Sequence, residues 1–236
     1  SADADEEFVG ELCKKLGVKF YSKKTDVLSL AKASGETTEE AGRTARYAFF
    51  DEIARKHKID KIATAHNKND NIETALYRII KGTSIKGLSA IPEKREIFYR
   101  PLLNVEKKEI LNFLKEKKQE FLIDSSNNDV KYKRNLIRKE ILPLFNEINP
   151  NYVNAINNLI ISANFSKKII ENSLKKIKKE IFIEEKNEIL KDKFLALEEN
   201  YQLEILNDFL GEYLKYRDFK TLSRFLKFIL NNNNSK

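Results

Sequence analysis

The chain has 236 residues, enough for one large domain or two small ones, and its 41% hydrophobic and 34% charged residues are typical of a globular protein. No apolar run approaches the roughly 20 residues of a membrane helix, no signal peptide opens the chain, and the single cysteine, Cys13, excludes an internal disulfide and fits a reducing cytoplasm. The formal charge of +8 is compatible with a polyanionic partner but does not require one.

The sequence contains no methionine. Since a complete translation product normally begins with one, we expect that the chain begins inside a longer protein. Loss of modified methionines from the sequence is the alternative, and it would leave hidden gaps in the numbering.

The first 125 residues alternate helical patterns with short apolar runs, which predicts an α/β domain with a mostly parallel sheet. The helical patterns, capped in two cases by Gly17 and Asn104, cover residues 5–17, 38–58, about 69–80 and about 105–117. The apolar runs predict strands, the last of them at a sheet edge, over residues 18–21, 61–65 and 97–102.

The second half of the chain shows helical patterns only. An apolar stripe at steps of four, three and four is formed by Ile170, Leu174, Ile177 and Ile181. We therefore predict a partial α/β domain over residues 1–130, followed by a helical linker and a C-terminal helical domain over residues 131–236.

The strand predicted at residues 61–65 runs directly into His66, and the next helix carries Asp70 and Glu73 on one face. Ligands of a parallel α/β sheet bind beyond the carboxyl ends of its strands, so we expect these side chains at a crevice. Acidic residues at a helix N-terminus also complement the helix dipole, and taken alone the pair favours that interpretation. The functional alternative is that the carboxylates bind a cation, either Mg²⁺ or an ammonium group whose proton they help to take up.

A basic segment covers residues 124–145, where turn-forming residues precede an amphipathic helix. Lys131, Arg134 and Arg138 are spaced three and four apart, so they share one helix face and could hold phosphate groups. An ordinary solvated helix face is the alternative, and the spacing does not decide between the two.

Two further features are weaker. Arg43 and Arg46 lie on adjacent turns and could neutralise the phosphates of a nucleotide, although a surface role is favoured from sequence alone. Gly82 and Gly87 would let a backbone loop approach a ligand closely, but their spacing is not that of a P-loop.

Together these segments resemble the tRNA(Ile)-lysidine synthetase family of the N-type ATP-pyrophosphatase (PP-loop) superfamily, over residues 1 to about 146. The matching pieces include EEAGRTARYAFF, TAHNKNDNIETALYRIIKGTSIKGLSAI and YRPLL. The most specific is DSSNNDVKYKRNLIRKEILPLF, which carries the pattern S-N-x-D-x-x-Y-x-R-N-x-x-R. The helical remainder is consistent with the family's first C-terminal domain but carries no matching motif.

The resemblance implies a two-step reaction in the cytoplasm on an isoleucine tRNA with a CAU anticodon. ATP, with Mg²⁺, adenylates the C2 oxygen of the wobble cytidine and releases pyrophosphate. The ε-amine of free L-lysine then displaces AMP to give lysidine. The oligomeric state does not follow from the sequence, and a homodimer is left open.

The resemblance also implies roles for single residues. Asp70 and Glu73 match the acidic pair associated with lysine, and with His66 they are the expected catalytic residues. Arg46 matches an arginine near the nucleotide, and Arg43 beside it is a second candidate ATP ligand. The basic residues expected to face phosphates of ATP or tRNA are Lys131, Arg134 and Arg138.

The chain departs from the family pattern in two places. Asn69 stands where many members have a second Asp, so no protein-bound metal is predicted there. The family's S-G-G-x-D-S pyrophosphate loop is absent, together with the first strand and the strand after the loop. Without the backbone N–H groups of that loop, we expect residues 1–236 alone to be inactive.

Three rival interpretations remain. A PP-loop tRNA thiolase typically uses paired cysteines, and Cys13 stands alone. A non-catalytic RNA-binding module would bind any tRNA through its basic helices, with a steep salt dependence. A structural helical protein with a vestigial α/β domain would not bind lysine at all.

Overall fold

The computed structural model describes residues 2–122, 133–183, 188–210 and 219–231. The chain forms two compact units, Ser1–Ile160 and Ile161–Lys236. The predicted domain boundary at residue 130 lies outside the described residues, and the compact units divide later along the chain. Within the described residues, no helix combines the length and the apolar character that crossing a membrane requires.

The described part of the first unit is mainly helical, with three very short strands. Its helices are α1 Ala2–Leu16, α2 Val27–Ser34, α3 Thr38–His57, α4 Lys68–Lys81, α5 Ile85–Leu88, α6 Lys107–Glu116, α7 Lys133–Leu136 and α8 Leu142–Ile148, followed by the start of α9 Tyr152–Ile181. Its strands are β1 Ile62–Ala63, β2 Lys94–Arg95 and β3 Phe98–Tyr99. The predicted helices over 5–17, 38–58 and 69–80 are confirmed, and α2 is a helix that the sequence patterns missed.

Local capping explains where the two central helices begin. Thr37 and Glu40 form a reciprocal capping box at the start of α3, and Asn67 and Asp70 form another at the start of α4. The predicted N-cap at Asn104 is wrong, because α6 begins at Lys107 with Glu106 as its cap and Glu109 closing the box. Each box pairs two N-terminal N–H groups that would otherwise lack a partner in the helix.

The sheet has the order β1–β3–β2. β1 pairs parallel to β3, with Ile62 opposite Phe98, whereas β2 pairs antiparallel to β3. The predicted edge strand at 97–102 therefore contributes the middle strand, and the sheet is mixed. Residues 18–21 are not a strand, and their exposed side chains have no neighbouring strand in the described part of the chain.

The core of the first unit joins α4 to the segment that follows residue 133. Ile72, Ala75 and Leu76 of α4 are buried against Ile137 and Leu142. The other buried members of this cluster are Ala90, Ile156 and Ile160. Because α4 also carries the predicted acidic pair, this core fixes which side chains of the later segment meet that pair.

A π-helical turn, Ile137–Ile141, lies between α7 and α8. The N–H of Leu142 donates to the carbonyl of Ile137, five residues back. Pro143 follows at the start of α8, where it has no N–H to donate and its ring crowds the carbonyl four residues before it. The wider turn accommodates that proline without ending the helix, and such turns recur at functional sites.

The described part of the second unit is helical apart from one pair of short strands. The described elements after α9 are β4 Phe182–Ile183, β5 Glu188–Ile189, α10 Lys191–Leu195, α11 Glu199–Phe209 and α12 Phe219–Asn231. The prediction of helices alone is wrong at β4 and β5, which pair antiparallel, since strands of two residues leave no period to detect. The predicted class, an α/β part followed by a helical part, is confirmed.

The predicted apolar stripe of α9 packs into the core of this unit. Leu174 and Ile181 are buried, and Ile170 and Ile177 pack against the same cluster. The remaining buried members are Phe194, Ile205, Leu206, Leu222 and Leu226.

We expect Ile72→Ala to lower the free energy of unfolding by about 2–5 kcal/mol, because it removes a buried side chain that is 1% exposed and leaves a cavity. The matched control is Ile80→Ala on the same helix, at a side chain that is 64% exposed, and there we expect a change within about 0.5 kcal/mol. Urea denaturation followed by circular dichroism measures both. Equal losses in the two variants would show that α4 does not bury the face described.

Candidate functional site

The carboxylate of Asp70 lies in the first turn of α4. Its Oδ2 accepts the N–H of Asn67 at 3.0 Å, while the Asn67 side chain accepts the N–H of Asp70 at 3.1 Å. Its Oδ1 lies 3.6 Å from Nη2 of Arg138. Asp70 therefore caps the helix, as the structural interpretation expected, and still presents one oxygen to its surroundings, its side chain being 26% exposed.

Glu73, one turn further along α4, has a very different environment. Its side chain is only 2% exposed, and both of its oxygens are bound by Arg138. Nε of Arg138 donates to Oε1 at 2.7 Å and Nη2 donates to Oε2 at 2.9 Å. This is a two-pronged arginine–carboxylate pair, the geometry in which an ion pair is strongest and most directional.

Burial dominates the electrostatics of this pair. Burial raises the pKa of Glu73, and the hydrogen bond and charge of Arg138 oppose that rise. In return, the hydrogen bonds that Arg138 donates to Glu73 raise the pKa of Arg138. Arg138 is the counter-charge of this carboxylate, so removing Arg138 would leave Glu73 buried without a compensating cation.

A cleft of about 510 Å³ opens beside these carboxylates. Its lining combines both signs of charge, side-chain amides and a short apolar wall: Asn67, Asn69, Asp70, Glu73, Lys107, Arg138, Leu142, Pro143, Asn146 and Tyr152. A small ligand that carries both ammonium and carboxylate groups on an aliphatic chain would find complementary groups here. Sequence spacing did not indicate Lys107, Asn146 or Tyr152, because they come from helices that only the fold brings together.

His66 lies at the end of the segment that follows β1, with its Nδ1 3.0 Å from Oγ1 of Thr64. The ring is half-buried, and burial lowers its pKa. The charge of Asp70 opposes this shift, while three arginines reinforce it: Arg100, Arg43 and Arg134. The imidazole is therefore neutral at pH 7 and available as a proton acceptor.

The predicted basic residues fall in different places. Arg138 binds the acidic pair, and Arg134 lies 3.5 Å from an oxygen of Glu39 on α3. Nη2 of Arg43 lies 3.4 Å from the hydroxyl of Tyr47, whereas Arg46 is exposed and forms no hydrogen bond or ion pair within the described ranges. Lys131 lies outside the described residues. The structure thus brings together Asp70, Glu73 and Arg138, and does not bring Arg46 to them.

The glycine loop is held by α4. Nη1 of Arg78 donates to the carbonyls of Gly87 and Ala90 at 2.7 and 2.9 Å, and Oδ1 of Asn71 accepts the N–H of Ile91 at 2.8 Å. A Cβ at Gly87 would lie 1.8 Å from Oγ1 of Thr83, so a larger residue there would force the Thr83 side chain or the loop to move. The described contacts of this loop are with α4 and within the loop itself, and close approach of its backbone to a ligand stays a prediction.

The carboxylates do not form a metal site. Both oxygens of Glu73 are bound by Arg138, and one oxygen of Asp70 is bound by a backbone N–H. Across the ranges that the structure describes, no three His, Cys, Asp or Glu side chains are grouped as metal ligands would be. This donor set does not fit a protein-bound Mg²⁺, whose ligands are oxygens free to coordinate.

The chain is similar to known proteins in two comparisons, one with a family model and one with individual relatives. Residues 1–145 match a family model described as the PP-loop domain. The tRNA(Ile)-lysidine synthase of Thermotoga sp. (strain RQ2) is 40% identical over 174 residues, which are 74% of this chain and 42% of that protein. The enzyme of that name from Petrotoga mobilis is 39% identical over 215 residues, 91% of this chain and 64% of the relative.

A third relative is the tRNA(Ile)-lysidine synthase of Clostridium perfringens, which is 38% identical over 192 residues. That alignment covers 80% of this chain and 41% of the relative. The chain thus spans about two fifths to two thirds of the length of these curated relatives.

We expect Arg138→Gln to lower the free energy of unfolding by about 3 kcal/mol, because Glu73 is then buried without a cation. The control is Arg134→Gln in the same segment, whose pair with Glu39 is well exposed on both sides, and there we expect a loss below about 1 kcal/mol. Urea denaturation at pH 7 measures both. A loss in Arg138→Gln no larger than that of the control would contradict the buried pair.

The raised pKa of Glu73 has a defined consequence for stability. Between its ordinary value near 4.5 and its higher folded value, the folded state holds a proton that the unfolded state releases, so the stability falls as pH rises through that window. In Arg138→Gln the pKa of Glu73 in the folded state rises further, so we expect the decrease in stability to extend to higher pH. In Glu73→Gln this component of the pH dependence disappears. Urea denaturation from pH 4 to pH 8 tests both, and a pH dependence unchanged by Glu73→Gln would refute the assignment.

Proposed function

Because the chain belongs to the PP-loop domain family, we propose that the protein ligates free lysine to the wobble cytidine of a CAU-anticodon isoleucine tRNA, using ATP and forming lysidine. The observation that carries this proposal is the cleft beside Asp70, Glu73 and Arg138. We also propose that the protein works in the cytoplasm, because a chain with a single cysteine suits a reducing compartment. A homodimer stays an open expectation.

The cleft supports free lysine as the substrate. The available Oδ1 of Asp70 suits one of the two ammonium groups of lysine, and the cations Arg138 and Lys107 suit its carboxylate. Leu142 and Pro143 supply apolar contact for the methylene chain between those groups. Charge complementarity along the molecule would thus distinguish lysine from amino acids with neutral side chains.

The two carboxylates then act differently. Asp70 binds the substrate ammonium directly, because one of its oxygens has no hydrogen bond within the part of the chain described. Glu73 fixes the orientation of Arg138, because its two oxygens bind that guanidinium. Both residues are needed for lysine binding, but only Asp70 is required to touch the amine.

We assign the phosphate-binding roles to basic residues other than Arg138 and Lys107. Arg43 and Arg46 are the proposed ligands of ATP, and Arg134 and Lys131 are proposed to neutralise phosphates of ATP or tRNA. Mg²⁺ is proposed to enter with ATP as the counter-ion of its phosphates, with no protein ligand assigned. These roles follow the family resemblance and the positive charge of the side chains.

In the first step, the C2 oxygen of the cytidine attacks the α-phosphorus of ATP, the bond to pyrophosphate breaks, and pyrophosphate leaves. In the second step, the lysine ε-amine forms a bond to C2, and the bond from C2 to the AMP oxygen breaks, so that AMP leaves with its electron pair. The ε-ammonium must lose a proton before it can attack. Asp70 and the neutral imidazole of His66 are the two groups proposed to take up that proton.

We expect Asp70→Asn to raise the KM for lysine by about tenfold or more, while the KM for ATP changes little, because one charged contact to the ammonium is lost. Incorporation of labelled lysine into CAU-anticodon isoleucine tRNA by the intact protein measures this. The control is Asp60→Asn, the same chemical change in the exposed segment before β1, where we expect both constants to stay within about twofold.

The same assay separates the proposal from its rivals. A wild-type protein that binds any tRNA with a steep salt dependence but never transfers lysine would leave only the RNA-binding interpretation. Full activity in both Asp70→Asn and Glu73→Gln would exclude the cleft as the lysine site. Loss of activity in Glu73→Gln with normal folding would support its role in orienting Arg138.

A further inference from the structure

The cleft is lined in part by residues from the starts of α4 and α6, and three contacts join those two helix starts. The N–H of Lys68 donates to the carbonyl of Val105 at 2.9 Å, and Nζ of Lys68 lies 3.4 Å from Oε1 of Glu106. In the third contact, Oδ1 of Asn69 accepts the N–H of Lys107 at 2.9 Å. Both partners of this hydrogen bond line the cleft, so it fixes the point from which the Lys107 side chain extends.

This contact uses only one end of the Asn69 amide. A backbone N–H can only donate, so the oxygen of the amide must face Lys107 and the NH₂ group must lie at its other end. Within the described ranges, that NH₂ group donates no hydrogen bond, and Nζ of Lys107 forms neither a hydrogen bond nor an ion pair. The cleft therefore holds a neutral donor and a cation close together in the chain, both of them available to an anionic group.

The chemistry of position 69 separates the helices from the ligand. An aspartate there would accept the same N–H of Lys107, and its charge would complement the dipoles at the starts of α4 and α6. It would have no NH₂ group to donate, however, and it would add a negative charge to a lining that already contains Asp70 and Glu73. The neutral amide of Asn69 thus satisfies α6 and still lets an anion approach.

We propose that Asn69 is a specificity-determining residue that recognises the α-carboxylate of the lysine substrate. Its NH₂ group donates to that carboxylate, and its carbonyl oxygen holds Lys107 so that the Lys107 ammonium meets the same group. The inference rests on the proposed function, which assigns Lys107 to the carboxylate but gives Asn69 no role.

The consequence is selection of an amino acid over a diamine of the same length. A diamine carries the two ammonium groups of lysine but no carboxylate, so it would leave the Asn69 NH₂ group and the Lys107 ammonium without a partner. A site built to hydrogen-bond one group of its substrate discriminates against an analogue that lacks the group, because the donors of the site are then unpaired.

The experiment compares the binding of L-lysine and of 1,5-diaminopentane to the intact protein by isothermal titration calorimetry. We expect the wild-type protein to bind lysine more tightly by about tenfold or more. In Asn69→Asp we expect lysine binding to weaken by about tenfold, while diaminopentane binds as well as before or better, because the added charge repels only the carboxylate. Lys107→Gln should also reduce the preference for lysine.

Two matched controls separate this contact from a general effect of charge. Asn104→Asp makes the same change in the exposed segment before α6, and Lys108→Gln makes the same change one residue after Lys107. Neither position is among the cleft-lining residues in the described part of the chain. We expect each control to change the ratio of the two affinities by less than about twofold. Urea denaturation checks that Asn69→Asp is folded, as expected when its carboxylate still accepts the N–H of Lys107.

The outcomes distinguish this inference from the proposed function. An unchanged preference for lysine in Asn69→Asp would overturn the role of Asn69 and leave lysine transfer standing. Equal weakening of both ligands would show a structural role only, and it would also overturn the inference. Transfer of lysine to tRNA is measured separately, so a protein that shows the expected preference but never transfers lysine would contradict the proposed function alone.

Discussion

The pairing of Glu73 with Arg138 is the interaction on which the candidate site depends. It joins α4, which carries both carboxylates, to the π-helical turn that arrives 65 positions later in the chain. The apolar cluster beneath it supplies the stability, since a buried ion pair seldom adds much beyond the cost of desolvating its charges. What the pair contributes is geometry: it places a guanidinium beside Asp70 and defines one side of the cleft.

Local signals in the sequence predicted the acidic half of this site and could not predict the basic half. The helix at 69–80, its first-turn carboxylate and the position of His66 after a short strand follow from capping and periodicity, which operate within a few residues. The partner of Glu73 is fixed by tertiary packing, which residue spacing does not reveal. The family resemblance suggested a phosphate for Arg138, and the fold places its guanidinium on the carboxylate of Glu73. The strands were the least predictable elements, because two-residue strands exist only where a neighbour offers a hydrogen-bonding edge.

His66 connects two regions of opposite charge within the first unit. The charge of Asp70 favours the protonated ring, and the charges of Arg43, Arg100 and Arg134 favour the neutral one. A change of ligand on either side would therefore alter the proton affinity of the imidazole. An anion held by the arginines would raise it, and a cation held by Asp70 would lower it.

The π-helical turn holds one residue more than the α-helical turn it replaces. Loss of a single residue between Arg138 and Leu142 would let the backbone return to an ordinary α-helix, which is the easier conformation to form. The segments on either side would then keep roughly their present orientation, so Leu142 would stay in the core and Arg138 beside Glu73. Gain of a further residue would have no such turn to absorb it, and it would rotate Arg138 by about 100° about the helix axis, away from Glu73.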